Sequence, residues 1–308
     1  MSIHPNIAEV LANLPAPPPG PLNPVAMRAG EAAQVAPLEE RLPLRSVRDL
    51  TAQTATGQVP VRVYTDQAPG VSAGVIVYFH GGAFFLGSLD THDHVCRFLA
   101  KQTGFTVVSV GFRLAPENLY PAGLEDCYGV VRWVAGDGAA ETGWDGHRLA
   151  IAGDSSGGTF VAAVAAKAHD DGFDALTHQV LYYPSLDLDF DENRYGSLVE
   201  NATGYGLETP GLKPFNAFYI DSGADPADPL VSPIKRENLA GLPKALVITA
   251  QYDPLRDEGE LYARRLAEAG VEVTAIRYPD ANHGFVQNFS WIPEFQKVYR
   301  DTAEFLAD

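Results

Sequence analysis

The chain has 308 residues, 46% hydrophobic and 20% charged, which is ordinary globular material with enough length for one large domain and an appendage. Its formal net charge of −17, with no basic cluster to offset it, makes nucleic acid and anionic membrane surfaces poor partners. No apolar run approaches the roughly 20 residues that span a bilayer, and Met1-Ser2-Ile3-His4-Pro5 lacks a signal-peptide pattern, so a cytoplasmic location is expected, with Cys96 and Cys127 as free thiols in helical segments.

Residues 1 to about 45 differ from the rest. Ile7 to Ala12 predicts a short amphipathic helix, and Pro15-Ala16-Pro17-Pro18-Pro19-Gly20-Pro21 excludes a helix interior or a central strand. The apolar Ile7, Leu11, Leu14 and Val25 favour a packed segment over a loose tail. The core begins near Arg45. Val59 to Thr65 alternates as a strand does. Val75 to Phe79 and Phe105 to Val110 are unbroken apolar runs, as in a sheet covered on both faces. Asp93 to Lys101 is helical. Leu124, Tyr128, Val131 and Val134 recur at helical spacing over Leu124 to Val134. Leu149 to Ala152, Ala175 to Tyr183, Ala245 to Ala250 and Val271 to Tyr278 read as further strands; Phe160 to Ala165 and Glu258 to Ala269 read as helices, the latter stopped by Gly270. Strands alternating with helices imply right-handed crossovers in a mainly parallel sheet. Ser185 to about Pro229 breaks the rhythm, and a connection that long in a compact domain usually carries function.

Four segments carry chemistry. Gly153-Asp154-Ser155-Ser156-Gly157-Gly158 lies between an apolar strand and a small-residue helix. Its glycines let strand and helix pass closely while Ser155 sits exposed at the turn, where helix N-terminal N–H groups meet a developing anion. His80-Gly81-Gly82-Ala83-Phe84 directly follows a strand, and its paired glycines allow backbone N–H groups to approach a substrate. Asp253 follows the apolar run ending at Ala250, and His283 follows the last strand. The order of oxyanion loop, Ser, Asp and His is that of an α/β-hydrolase. A serine hydroxyl needs a histidine to take its proton, and that histidine needs an acid to fix its tautomer. Asp257 and Asp280 are rivals for the acid; Asp253 is preferred because it emerges directly at a strand end. His80 reads as a brace for the oxyanion loop. Asp90-Thr91-His92-Asp93-His94 looks like a metal cluster, but its histidines point to different helix faces, so no metal is expected. Arg113, Glu117 and Asp126 are read either as a buried charge network or as solvated charges.

With Phe112-Arg113-Leu114-Ala115-Pro116-Glu117, Asp253-Pro254-Leu255 and His283-Gly284-Phe285 added, these motifs span residues 75 to 290. In that order and spacing the chain resembles the bacterial hormone-sensitive-lipase family of esterases. It departs from that pattern at Ala83, often glycine, and at Ser156, often alanine. The resemblance implies an α/β-hydrolase with a mainly parallel, eight-stranded sheet flanked by helices. It implies a catalytic domain over 46–308 and a helical cap built from 1–45 and an insertion at about 185–229. The activity implied is hydrolysis of short- to medium-chain carboxylic esters through an acyl-serine, with no cofactor. Ser155, Asp253 and His283 form the expected triad; Gly81, Gly82 and Ser156 supply the expected oxyanion N–H groups. Phe84, Phe85 and Phe285 are expected either to line an acyl pocket or to fill the core. An amidase or peptidase using the same triad, or a non-catalytic receptor on the same fold, are the alternatives. Similar proteins pair through a sheet edge, for which Val271 to Tyr278 is the candidate, so a homodimer is expected.

Overall fold

The computed structural model describes residues 2–14, 20–68, 74–221 and 223–307; the stretch Pro15 to Pro19 lies outside them. Helix α1 (Pro5–Ala12) starts where the His4 side chain accepts the Asn6 N–H, and α2 (Pro24–Ala32) where Asn23 accepts from Ala26. Each has proline in its first turn, where the missing donor costs nothing. Ile7 is buried and Leu11 half-buried against the body, but Leu14 and Val25 are 58% and 67% exposed, so only α1 makes the apolar contact expected of this segment. Helix α2 buries none of its residues.

Strands β1 (Ser46–Thr54) and β2 (Gly57–Thr65) form a hairpin. There follow β3 (Val75–Phe79), α3 (Asp93–Thr103), β4 (Thr106–Val110), α4 (Ala122–Val134), α5 (Ala139–Thr142), β5 (Leu149–Asp154), α6 (Ser156–Asp170) and β6 (Leu176–Tyr182). The long interruption holds α7 (Gly196–Glu200) and α8 (Thr209–Ile220), and the chain ends with β7 (Lys244–Tyr252), α9 (Arg256–Glu268), β8 (Val273–Asn282), α10 (Phe285–Asn288) and α11 (Lys297–Ala307). The sheet has eight strands in the order β1-β2-β4-β3-β5-β6-β7-β8. Strand β2 runs antiparallel to β1 and β4; every other neighbouring pair is parallel.

The pleat sends alternate side chains to opposite faces. Val75, Val77 and Phe79 of β3 join a core with α4 and α6 residues such as Val131, Phe160 and Val164. Ile76 and Tyr78 join a second core with Val95 and Leu99 of α3 and Val298 and Leu306 of α11. Strands β3 and β5 are buried along their whole length, which explains their unbroken apolar runs. Fully burying each such Val, Leu or Ile side chain contributes about 1.5–3 kcal/mol.

Parallel strands bring their C-terminal ends to one edge. Strands β5, β7 and β8 end at Asp154, Tyr252 and Asn282, so the next residues, Ser155, Asp253 and His283, emerge side by side.

Candidate active site

Ser155 has φ +54 and ψ −120, a conformation that side chains rarely adopt, and it caps α6. Three backbone bonds hold it there: its N–H donates to Tyr182 O at 2.9 Å, and its carbonyl accepts from Gly158 N at 2.9 Å and Ser185 N at 3.1 Å. The turn works only because α6 passes against β3. A Cβ on Gly157 would stand 2.0 Å from Phe79 O. The Ser155 side chain therefore projects at the N-terminus of a fifteen-residue helix, where the aligned peptide dipoles favour negative charge.

His283 Nε2 lies 2.9 Å from Ser155 Oγ, and His283 Nδ1 lies 2.8 Å from Asp253 Oδ2. An ionised carboxylate only accepts, so Nδ1 carries the ring proton and Nε2 presents its lone pair to the serine hydroxyl. The Asp253 side chain has no exposed surface and that of His283 is 11% exposed, so the acid reaches solvent chemistry only through the imidazole. Leu255 N donates to the other carboxylate oxygen, Oδ1, at 2.8 Å. Asn201, from the long insertion, donates to the carbonyls of Gln251 and Asp253 and braces the turn that carries the acid. No motif in the sequence pointed to Asn201. Tyr183, with φ +36, sets its ring edge-on to His283, 4.9 Å between centroids.

The rival carboxylate of Asp257 is occupied elsewhere. Asp257 Oδ2 accepts from Ser197 N at 2.8 Å and Oδ1 from Arg256 Nε at 2.8 Å, so it secures α7. Asp280 uses its backbone carbonyl to accept from His4 N.

The loop after β3 requires one correction. Gly81 N–H donates to Asp154 Oδ1 at 2.9 Å and is not available to a substrate. The unengaged donors here are the N–H groups of Gly82, Ala83 and Ser156, which have no acceptor among the described residues. Gly82 has φ +119, and a Cβ there would meet the Leu86 carbonyl group at 2.5 Å. Ala83 and Phe84 also sit at positive φ, +50 and +68, so the loop is strained and must be held. Ser156 Oγ accepts from Phe84 N, and Ala115 N donates to Phe84 O.

Asp154 ties the nucleophile turn to this loop, accepting from Tyr78 OH at 2.6 Å as well as from Gly81, with His92 Nε2 at 3.5 Å. Burial raises its pKa, but His92, Tyr78 and the Gly81 N–H outweigh burial and hold it at about 2. His80 is buried, stacks on Phe112 at 4.2 Å and contacts Gly81 O through Nδ1 at 2.8 Å. Burial, reinforced by His92, lowers its pKa to about 3, so it stays neutral at the base of the loop.

Phe84 stacks on Tyr219 at 4.1 Å, and Phe85 packs on Phe215 and Phe218, so both join the loop to α8. Phe285 is wholly buried among Tyr183, Tyr278 and Phe295. All three rings sit in the packed interior. Arg113 and buried Asp126 form a two-pronged pair, both bonds 2.8 Å, whereas half-exposed Glu117 pairs with Arg28. Among the described residues no three His, Cys, Asp or Glu side chains group as metal ligands. The residues of the 90–94 cluster turn elsewhere: Asp90 to Arg62, Asp93 to Arg97 and Tyr64, His94 to Gln287 O.

A strained serine at a strand-to-helix turn, in line with a histidine and a buried aspartate and facing unengaged N–H groups, defines a serine hydrolase site. The model of the α/β-hydrolase fold family matches residues 76–287, and the chain belongs to that family. It is 42% identical to Carboxylesterase NlhH of Mycobacterium tuberculosis over 238 residues, 76% of this chain and 73% of that one. It is 36% identical to an ethyl acetate hydrolase of Pseudomonas putida over 252 residues, 80% of this chain and 78% of that one. The structure of a hyperthermophilic esterase from Pyrobaculum calidifontis superposes with a TM-score of 0.90 at 37% identity, covering 99% of this chain and 98% of that one.

Proposed function

We propose that this chain is a serine carboxylesterase of short- to medium-chain esters, with Ser155 as nucleophile, His283 as general base and then acid, and Asp253 as the orienting carboxylate. The observation that carries this reading is the run of two hydrogen bonds, 2.8 and 2.9 Å, from Asp253 through His283 to Ser155. As Ser155 Oγ attacks the acyl carbon, its proton passes to His283 Nε2. The carbonyl oxygen becomes an anion received by the N–H groups of Gly82, Ala83 and Ser156; losing one such donor typically costs about 3–4 kcal/mol of transition-state stabilisation. The intermediate collapses, the C–O bond breaks and the alcohol leaves with the proton from His283. Water then attacks the acyl-serine by the same route and releases the acid. The relatives named carboxylesterase and ethyl acetate hydrolase support ester substrates with small groups.

Residues 1–45 and about 185–229 are read as a two-part cap over a catalytic domain of 46–308. Contacts of α8 with the loop after β3, and the bond from Asn282 to the Tyr205 carbonyl, support that reading. A cap that bounds the acyl site favours short chains. Nitrophenyl esters of increasing acyl length, run beside Ser155→Ala, test the proposal. Turnover is expected to peak between about two and eight carbons and to fall by about 10⁴ or more in the variant. A sixteen-carbon ester cut faster than a four-carbon ester contradicts the size limit. The turn at Ala83 also predicts slow cleavage of tert-butyl acetate; no cleavage at enzyme levels that readily cut ethyl acetate contradicts it.

No helix among the described residues is long and apolar enough to cross a membrane. Two buried free thiols, Cys96 and Cys127, fit action in the cytoplasm. Strand β8 is a sheet edge, which supports pairing of two copies there. Sedimentation showing only monomer at micromolar concentration contradicts that pairing.

A further inference from the structure

We propose that Arg28 and Glu31 of α2 are positioning residues that clamp the oxyanion loop from outside the catalytic domain. Helix α2 buries no residue, so apolar packing does not explain its place on the body. Its long-range side-chain bonds fall on two neighbouring segments. Arg28 Nε donates to Phe85 O at 2.6 Å and Nη2 to Ala115 O at 2.5 Å, while both terminal nitrogens pair with Glu117 at 2.8 and 2.9 Å. Glu31 Oε2 accepts from Gly87 N at 3.0 Å.

These bonds hold the far side of the loop. Asp154 and Ser156 Oγ grip its near side through Gly81 N and Phe84 N. Between the grips lie Gly82, Ala83 and Phe84, all at positive φ. A run of strained residues relaxes unless its surroundings fix both ends. The Arg28 fork binds two adjacent carbonyls, Phe85 O and Ala115 O, beside the point where Ala115 N already meets Phe84 O, so it closes the seam between the loop and the 112–117 segment. A guanidinium suits this, since its rigid fork spans several acceptors where an ammonium is a single point charge. Displacing the loop by an ångström moves the Gly82 and Ala83 donors off the developing oxyanion, a loss felt in the transition state more than in substrate binding.

This inference rests on the assignment of Gly82 and Ala83 as oxyanion donors, and the test separates the two. Arg28→Ala, Arg28→Lys, Glu31→Ala, Glu31→Gln and Glu117→Gln are assayed on a four-carbon nitrophenyl ester. Each is also titrated with an alkyl trifluoromethyl ketone, whose serine adduct places an oxyanion among the donors. Arg28→Ala and Arg28→Lys are expected to lower kcat by roughly tenfold to a hundredfold with KM changed less than about twofold. Affinity for the ketone should fall by the same factor as kcat/KM. Glu31→Ala should follow in the same direction; Glu31→Gln, which keeps an acceptor for Gly87 N, should recover most of the rate. Glu117→Gln, which leaves the carbonyl contacts in place, should stay within about threefold. If Arg28→Ala does not fold, the Arg28→Lys and Glu31 pairs decide. A rise in KM with kcat and ketone affinity unchanged, or a loss in Glu117→Gln equal to that in Arg28→Ala, overturns the clamp. If the ketone fails to inhibit the unmodified protein, the oxyanion assignment itself is wrong.

Discussion

Asp253 and Asp257 stand one helical turn apart, and their partners separate them. The first is wholly buried and meets His283 Nδ1; the second is bound to Ser197 and Arg256. Asp253→Asn should therefore cut kcat by about 10⁴, because an amide stabilises the wrong imidazole tautomer and cannot balance its positive form. Asp257→Asn should cost far less, and the reverse ranking contradicts the assignment. His80 gives a second residue-level prediction. Its pKa falls from 6.5 to about 3 in the fold, through burial and then His92. The folded value is the lower one, so its contribution is fully present above pH 6.5 and drains away as pH falls from there toward 3. Urea midpoints of the unmodified protein should thus drop more between pH 7 and 4.5 than those of His80→Gln; parallel drops contradict a neutral His80. The triad could be read from sequence because each member directly follows a strand with a strong apolar signature. The engagement of the Gly81 N–H could not be read the same way, because it depends on Asp154, whose carboxylate reaches Gly81 across the fold.

At the scale of elements, the buried strands and their crossover helices were readable because both faces of the sheet are covered. Several of the misses share a cause. Strand β1 is an outer strand with a mixed, half-exposed pattern and no apolar run. Helix α2 has no buried face, so no apolar packing marks its place. The α7 and α8 segments are ordered by contacts with the catalytic loops, such as Ser197 with Pro254 and Phe218 with Phe85, rather than by local pattern. The strand-to-helix crossing at the nucleophile yields a sharp test. Gly157→Ala puts a methyl 2.0 Å from Phe79 O, a backbone atom that cannot swing away. The variant should lose about 3 kcal/mol or more of stability in urea unfolding. Stability equal to that of the unmodified chain contradicts the close crossing.

Across the whole molecule, parallel strand ends and a glycine-lined crossing converge on a single hydroxyl. The sheet supplies Ser155, Asp253 and His283 from three strand ends, and two hydrogen bonds link them in line. The overall architecture followed from strand and helix alternation, but the contacts of α2 and α8 with the loop after β3 are long-range ones, which leave no trace in local sequence. What all of this machinery must do is make Ser155 a covalent nucleophile. The most direct measurement is the intact mass and peptide map of the protein after reaction with an alkyl fluorophosphonate. One phosphonyl group should be added, on Ser155, with none on Ser155→Ala and much slower labelling of His283→Ala. A label on any other residue, or unchanged labelling of the Ser155→Ala protein, contradicts the account.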